Sequence, residues 1–379
     1  MKIIINPKKY FEENICILII SLGFFDLISE EIHEVIKYPM ILFGILLFIW
    51  CCLHYEIGLK THMFVLITIL ITVIEILFSE GILFTQYLWD LGICMPVALA
   101  LCYCKNFNFK KWLILYVMVT IFLLYRLFTS PDYYSILYSH SRNYISVFEI
   151  FLVFLVGIVA YKKNTVLPSW IYYCTAIVCV ISVGRGGILA GFILLCFHIV
   201  QNIISTNKYN NKVSKIIILV VALNLGLIIM LFFNDVIIQK IFPRFSGIGT
   251  SGDSSTIAVN KRLWMWGSYI EACMSSIKDF ILGSNPYPIV LKIHYRNDFN
   301  LHNSFFMMHV FYGVFGLVFV IIKSLEFIKY LAKEKSELVF IFVTFLFRAV
   351  TDYCFPGKLS AIIIWFAIFY TMANVKKKR

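Results

Sequence analysis

Charged residues are scarce in this sequence, and their scarcity excludes most classes of soluble protein. Only 14% of the 379 residues are charged, whereas 61% are hydrophobic and the mean hydropathy is +0.86. A soluble domain usually carries about 25% charged residues. We therefore interpret the chain as an integral membrane protein and not as a soluble enzyme with an enlarged core.

Sequence patterns that bind metals or form disulfides are also lacking. The 11 cysteines are scattered, and most lie inside apolar runs, where a thiol behaves as a small hydrophobic group. No grouping of Cys and His has the spacing of a metal site, and no disulfide framework is evident. The sequence thus predicts neither a metal nor another cofactor.

Apolar runs long enough to cross a bilayer occur from one end of the chain to the other. Each span needs about 20 residues to cross the hydrocarbon layer. The predicted fold class is therefore all-α, a polytopic transmembrane helical bundle of about 12 spans that forms a single domain over residues 1–379. The twelve runs are centred near residues 22, 46, 70, 94, 120, 152, 176, 195, 225, 312, 346 and 366.

Lysine is concentrated in every second connection between these runs. This distribution is typical of cytoplasmic loops, and it predicts that both termini are cytoplasmic. It also explains the net charge of +12 without a nucleic acid as partner. The clusters are Lys8–Lys9, Lys105–Lys111, Lys162–Lys163, Lys208–Lys215, Lys323–Lys335 and Lys376–Lys378.

Arginine is distributed differently from lysine. Seven of the eight arginines fall on the outer side or in the outer half of a span, which the sorting of positive charge to the cytoplasm opposes. Because the guanidinium group binds phosphate and carboxylate with two parallel hydrogen bonds, this set predicts a phosphorylated or acidic ligand outside the cytoplasm. The seven are Arg126, Arg142, Arg185, Arg244, Arg262, Arg296 and Arg348.

One connection is much longer than the others. Residues 234–302 separate the ninth and tenth runs and are predicted to form a large extracytoplasmic loop. Within this loop, five apolar residues recur at spacings of three to four, which predicts an amphipathic helix. Such a helix either lies on the outer face of the membrane or covers a cavity in the bundle. The five are Leu263, Trp266, Ile270, Met274 and Ile277.

The first candidate site is the turn "SVGRGG", residues 182–187, between the seventh and eighth runs. Its glycines leave backbone N–H groups able to point at one spot, and Arg185 adds a forked cation, so the turn suits an anion. The alternative is a tight hairpin whose arginine reaches the membrane interface.

The second candidate is Arg262 with Trp264 and Trp266. The arginine could hold a pyrophosphate while the indoles stack on sugar rings, or the tryptophans could anchor the helix among lipid headgroups. Arg244 in "FPRFSG" and Arg142, which heads the sixth run, are further substrate-binding candidates.

The third candidate is the start of the tenth run, "HNSFF", residues 302–306. Asn303 and Ser304 are good N-caps, but His302 is not needed for capping and can accept a proton near neutral pH. The alternative is an interfacial histidine that binds water. In the outer half of the eleventh run, Arg348 and Asp352 are one helical turn apart and could form an ion pair.

These motifs together resemble the O-antigen polymerase and ligase superfamily. The turn "SVGRGG", the helix "RLWMWGSYIEACMSSIKDFILGSNP" and the helix start "HNSFFMMHVFYGVFG" follow in the family's order, with a large outer loop between the first and the last. The resemblance covers roughly residues 140–355. One departure is Val183-Gly184, which stands where a serine is common next to the arginine.

The resemblance implies a metal-independent glycosyltransferase at the outer face of the bacterial cytoplasmic (inner) membrane. Its donor would be an undecaprenyl-diphosphate-linked oligosaccharide, bound through Arg185 and Arg262, and His302 would activate the acceptor hydroxyl. Its protein partners would be a flippase and a chain-length regulator, in addition to the lipid bilayer. The substrate-binding candidates are Arg142, Arg244, Trp264, Trp266 and Asn303.

Three activities fit this description. A polymerase would move the glycan onto the next lipid-linked repeat unit, a ligase would move it onto the lipid A–core, and a flippase would carry lipid-linked sugars across the membrane. The compact outer loop and the lack of a distinctive ligase feature favour the polymerase of an O-antigen or capsular polysaccharide. Inverted repeats and broken helices typical of a transporter are not evident in the sequence.

Overall fold

The structure is a computed structural model that describes residues 10–78, 84–130, 136–138, 143–182, 184–206, 254–294 and 300–374. Several sequence predictions lie outside these residues: the ninth apolar run near residue 225, Arg142, Arg244, Arg296 and the lysine clusters Lys8–Lys9, Lys208–Lys215 and Lys376–Lys378. The described parts of the predicted outer loop are residues 254–294 and 300–302.

The described residues form helices joined by short connections, and no β-strand occurs among them. A π-helical turn, Asp90–Cys94, joins α4 to α5, and a 3-10 turn, Leu359–Ala361, precedes α15. The helices are α1 (Phe11–Phe25), α2 (Glu30–His54), α3 (Leu59–Phe78), α4 (Phe84–Trp89), α5 (Met95–Tyr103), α6 (Phe109–Thr129), α7 (Asn143–Lys163), α8 (Ser169–Ile181), α9 (Arg185–Thr206), α10 (Ser254–Met274), α11 (Ile277–Leu282), α12 (Tyr287–His294), α13 (Ser304–Lys333), α14 (Leu338–Thr351) and α15 (Ile362–Asn374).

Several of these helices have the length and composition of membrane spans. Every predicted apolar run except the ninth coincides with one or more helices. An all-α fold with membrane-length helices is therefore confirmed, whereas the total of twelve spans stays a prediction. Five continuous helical stretches among the described residues are long and apolar enough to cross a membrane: Glu30–His54, Phe84–Tyr103 (α4, the π-helical turn and α5), Phe109–Thr129, Asn143–Lys163 and Ser304–Lys333.

Helix α7 lies at the centre of the bundle. All of its residues from Tyr144 to Ala160 are buried, and it packs against α6, α8, α9 and α14. A helix that is apolar on every side is stable only where protein or lipid surrounds it completely. From Tyr144 to Ala160 the sequence of α7 is apolar in this way, except for Ser146 and Glu149.

The two ends of the bundle differ in the basic residue that each carries. At one end, Lys162 near the C-terminus of α7 donates to the Cys102 and Cys104 carbonyls, at 2.7 and 2.9 Å. At the other end, Arg348 of α14 donates to the carbonyl of Asn143 at the start of α7, at 2.9 Å. We call these the lysine-bearing end and the arginine-bearing end.

A cavity of about 1280 Å³ opens at the lysine-bearing end, where Tyr55, Lys162 and Tyr370 are among its lining residues. Of the predicted site residues whose side chains the structure describes, none borders this cavity. The predicted site and the cavity therefore lie at opposite ends of the bundle.

Candidate active site

Two segments that are distant from α14 in sequence, α10 and the start of α13, contact its last residues. The final carbonyl groups of a helix have no partner within the helix, and here other segments supply the donors. We call residues Val350–Asp352 the α14 terminus. Asn303 Nδ2 donates to the Val350 carbonyl at 3.1 Å, Arg262 Nη1 to the Thr351 carbonyl at 3.0 Å, and Ser304 Oγ to the Asp352 carbonyl at 2.8 Å.

A buried ion pair fixes the α14 terminus. Arg348 Nη2 lies 2.9 Å from Asp352 Oδ2, and the side chains are only 2% and 3% exposed. Besides its bond to the Asn143 carbonyl, this guanidinium donates from Nε to Ser146 Oγ at 3.2 Å and from Nη1 to Thr351 Oγ1 at 2.9 Å. Burial of a charge is costly unless it is paired and hydrogen-bonded. Arg348 meets both conditions, so the predicted pairing is confirmed. The guanidinium of this arginine has a structural role.

His302 lies beside the same carboxylate. Its Nδ1 is 3.6 Å from Asp352 Oδ1, and its side chain is 29% exposed. The residue has φ +52°, a left-handed conformation that is uncommon for residues other than glycine. Asn300 Oδ1 accepts the His302 backbone N–H at 2.7 Å. Strained backbone of this kind is frequent at active sites, and here it turns the imidazole toward Asp352.

The glycine-rich turn that contains Arg185 packs against the same region. A Cβ atom on Gly186 would lie 2.9 Å from Thr351 Oγ1, and one on Gly184 would lie 2.5 Å from Asn143 Oδ1. Only glycine allows such a close approach of the backbone. Arg185 therefore begins α9 next to the α14 terminus, while its side chain lies outside the described part of the structure.

The two predicted tryptophans of α10 have different surroundings. Trp266 Nε1 donates to the Leu301 carbonyl at 2.7 Å, and its ring packs against Phe306 at a centroid distance of 5.8 Å. Trp264 is 49% exposed. Trp266 thus connects α10 to the segment that contains His302, whereas the Trp264 side chain is about half exposed.

A histidine that was not among the predicted site residues connects helices α10 and α11 to the bundle. His309 of α13 has Nδ1 at 2.9 Å from the Tyr269 hydroxyl and Nε2 at 2.9 Å from the Phe280 carbonyl. Since a carbonyl can only accept, Nε2 carries the proton and Nδ1 accepts from Tyr269. His309 therefore links α10 and α11 to α13.

No protein-family model, curated protein or solved structure matches this chain. The functional argument therefore depends on the motifs and on the geometry of the arginine-bearing end. Among the described residues, no three His, Cys, Asp or Glu side chains are grouped so that they could hold a metal ion.

Two members of the site could not be found by motif. Asp352 was visible in the sequence only as a possible partner of Arg348, because its neighbour His302 is 50 residues away. Asn300, which supports the His302 backbone, carries no local signal other than its position before the helix.

Proposed function

We propose that the protein is a polysaccharide polymerase of the bacterial cytoplasmic membrane. It would transfer a glycan from a polyprenyl-diphosphate carrier to a hydroxyl group of the next lipid-linked repeat unit, with the site on the outer face. The observation that carries this proposal is the convergence of Arg262 and His302 on the α14 terminus, at 3.0 Å from the Thr351 carbonyl and 3.6 Å from Asp352 Oδ1.

His302 is the proposed general base. With the Nδ1 proton directed at the Asp352 carboxylate, Nε2 keeps its lone pair and can accept a proton. Nε2 removes the proton of the acceptor hydroxyl while the hydroxyl oxygen bonds to the anomeric carbon of the donor. The bond from that carbon to the diphosphate breaks, and its electron pair leaves with the diphosphate. Attack from the opposite face inverts the anomeric configuration.

Arg262 is the proposed stabiliser of the leaving group. The bond to the Thr351 carbonyl fixes its guanidinium at the arginine-bearing end, and a fixed cation in a water-poor site stabilises developing negative charge strongly. Arg185, whose backbone lies beside Thr351, is the proposed second diphosphate ligand. Asp352 orients the base and does not contact the reacting atoms.

The test is glycan analysis in cells. A deletion strain should carry single repeat units on the final carrier, and His302→Ala should reproduce that pattern at a normal protein level in the membrane. The matched control is His62→Ala, an exposed histidine of α3, which should leave chain length unchanged. Full-length polymer with His302→Ala would disprove the assignment of the base.

The same deletion separates the polymerase from the ligase. A polymerase deletion still allows one repeat unit to reach the lipid A–core, whereas a ligase deletion leaves none attached. The second outcome would replace the proposed reaction with transfer to the core. Unchanged glycan would contradict both activities.

A further inference from the structure

The outer helices expose an apolar face that no described part of the chain covers. On α10, Leu263, Ile270 and Met274 are 57%, 49% and 71% exposed, and Ile277 at the start of α11 is 79% exposed. Gly267 lies on the same face, and a Cβ atom there would meet nothing within 4 Å. We call these five residues the outer stripe. Trp266, which the sequence placed on this face, is half-buried instead.

A second apolar face of α10 is already covered by the bundle. Met265, Tyr269 and Cys273 are 0%, 1% and 6% exposed, and the Tyr269 hydroxyl contacts His309 at 2.9 Å. The outer stripe is therefore not the face that holds α10 in place. It needs a different apolar environment, because contiguous exposed apolar residues are unusual on a water-exposed surface.

The position of α11 along α13 indicates its depth in the membrane. A Cβ atom on Gly283 would meet the carbonyls of His309 and Val310, and one on Gly313 would meet the Ile281 carbonyl. Helix α11 thus packs beside residues 309–313 of α13. At about 1.5 Å per residue, this level is roughly 8–14 Å along the helix from Ser304.

The composition of α13 places this level inside the hydrocarbon layer. The first Lys, Arg, Asp or Glu of α13 is Lys323, and a span needs about 20 residues. The whole stretch from Phe305 to Ile322 is therefore needed to cross the hydrocarbon layer. Gly313 and the helix packed against it lie within the leaflet. At the following turns α13 exposes Phe315 and Val318 at 70% and 47%, as a lipid-facing helix does.

Polar groups flank the outer stripe and do not interrupt it. Glu271 and Ser275 are exposed on one flank of α10, together with Trp264, which is 49% exposed. Apolar, polar and indole groups arranged in this order are typical of a helix that lies in the membrane interface.

We propose that the lipid bilayer covers the outer stripe, so that α10 and α11 are seated in the leaflet at the arginine-bearing end. Acyl chains contact Leu263, Ile270, Met274 and Ile277, while Glu271 faces water. Arg262, on the same helix, is thereby held at the depth of lipid phosphates. The seating requires only that the chain is embedded in a membrane and is independent of glycosyl transfer.

The experiment places a genetically encoded fluorescent amino acid at Met274 or at the neighbouring Ser275 of the full-length protein. Both positions are exposed, so neither replacement disturbs the core. The protein is reconstituted in vesicles of phosphatidylethanolamine and phosphatidylglycerol, with or without brominated acyl chains. Quenching by the brominated lipid is compared with quenching by aqueous iodide.

We expect bromine to quench the probe at 274 several times more strongly than iodide does, and the order to reverse at 275. A probe at Ile277 should behave as the probe at 274. Stronger iodide quenching at 274 would place the stripe in water, and quenching by neither agent would mean that protein covers it. Either outcome would overturn the proposal, whatever the glycan analysis of the His302 variant gives.

Discussion

His302 and Asp352 are 50 residues apart in sequence, yet His302 Nδ1 lies 3.6 Å from Asp352 Oδ1. This relationship depends on a second one, since the other carboxylate oxygen of Asp352 accepts from Arg348 at 2.9 Å. A carboxylate paired with a guanidinium favours its charged form. Asp352 can therefore orient the imidazole without competing for its proton.

The Asp352→Asn variant tests how much this ion pair contributes to the stability of the protein. The Asn side chain can still accept the backbone N–H of Tyr353, which Asp352 Oδ1 accepts at 2.9 Å, but Arg348 then keeps a buried charge without a counter-charge. Loss of one partner of a buried pair costs about 3–5 kcal/mol. We expect a clearly lower unfolding temperature in detergent.

The double variant Arg348→Met with Asp352→Asn is the control for that experiment. It removes both charges, so it should be more stable than Asp352→Asn alone. Equal stability of the two would show that the charge of Arg348 does not set the cost. Both variants should be inactive, because neither keeps the carboxylate that orients His302.

Arg262 should not be replaceable by lysine. An ammonium group cannot form the two parallel hydrogen bonds that a guanidinium offers to phosphate. We expect Arg262→Lys and Arg262→Ala both to lower the rate of chain lengthening by about 10²–10³-fold, measured with purified protein and a lipid-linked substrate. Lys278→Ala, which removes an exposed cation from the same outer layer, should keep the normal rate. Full activity of Arg262→Lys would mean that this arginine only caps the end of α14 and does not bind the diphosphate.

The Trp266→Phe variant separates packing from hydrogen bonding. Phenylalanine retains an aromatic ring against Phe306 but cannot donate to the Leu301 carbonyl, which Trp266 Nε1 reaches at 2.7 Å. We expect a loss of about 0.5–1.5 kcal/mol in stability and slower chain lengthening, because Leu301 precedes the proposed base. Trp264→Phe, at an exposed position, should leave stability unchanged. If both variants behave alike, the link to Leu301 does not position His302.

The sequence predicted those features that are encoded locally. Apolar runs marked the helices, and the spacing of Arg348 and Asp352 marked their pairing. Each signal needs only residues within one or two helical turns. The contact between His302 and Asp352 joins two helix ends, and no periodicity within either segment contains it.

The outer helix shows a different limit. Spacings of three to four identified Leu263, Ile270 and Met274 as one face of α10, but periodicity does not say which neighbour covers a face. The structure buries Met265 and Tyr269 instead. An apolar helix at a membrane surface can contact both protein and lipid. The sequence alone does not show which apolar face contacts which.

At Gly313 one added methyl group should displace α11, and with it α10, from α13. Its φ of +62° interrupts α13, and a Cβ atom there would meet the Ile281 carbonyl. The Gly313→Ala variant therefore combines a strained backbone, about 1–3 kcal/mol, with a displaced α11. We expect a lower unfolding temperature and a loss of chain lengthening, because α11 and His309 hold the helix that carries Arg262.

The matched control is Gly267→Ala on α10, where the added methyl group meets open space and a helical alanine is favoured over glycine by about 0.5–1 kcal/mol. That variant should be as stable as the native protein or more so, and fully active. A tolerated alanine at 313 would mean that the kink in α13 and its contact with α11 do not set the position of the outer layer.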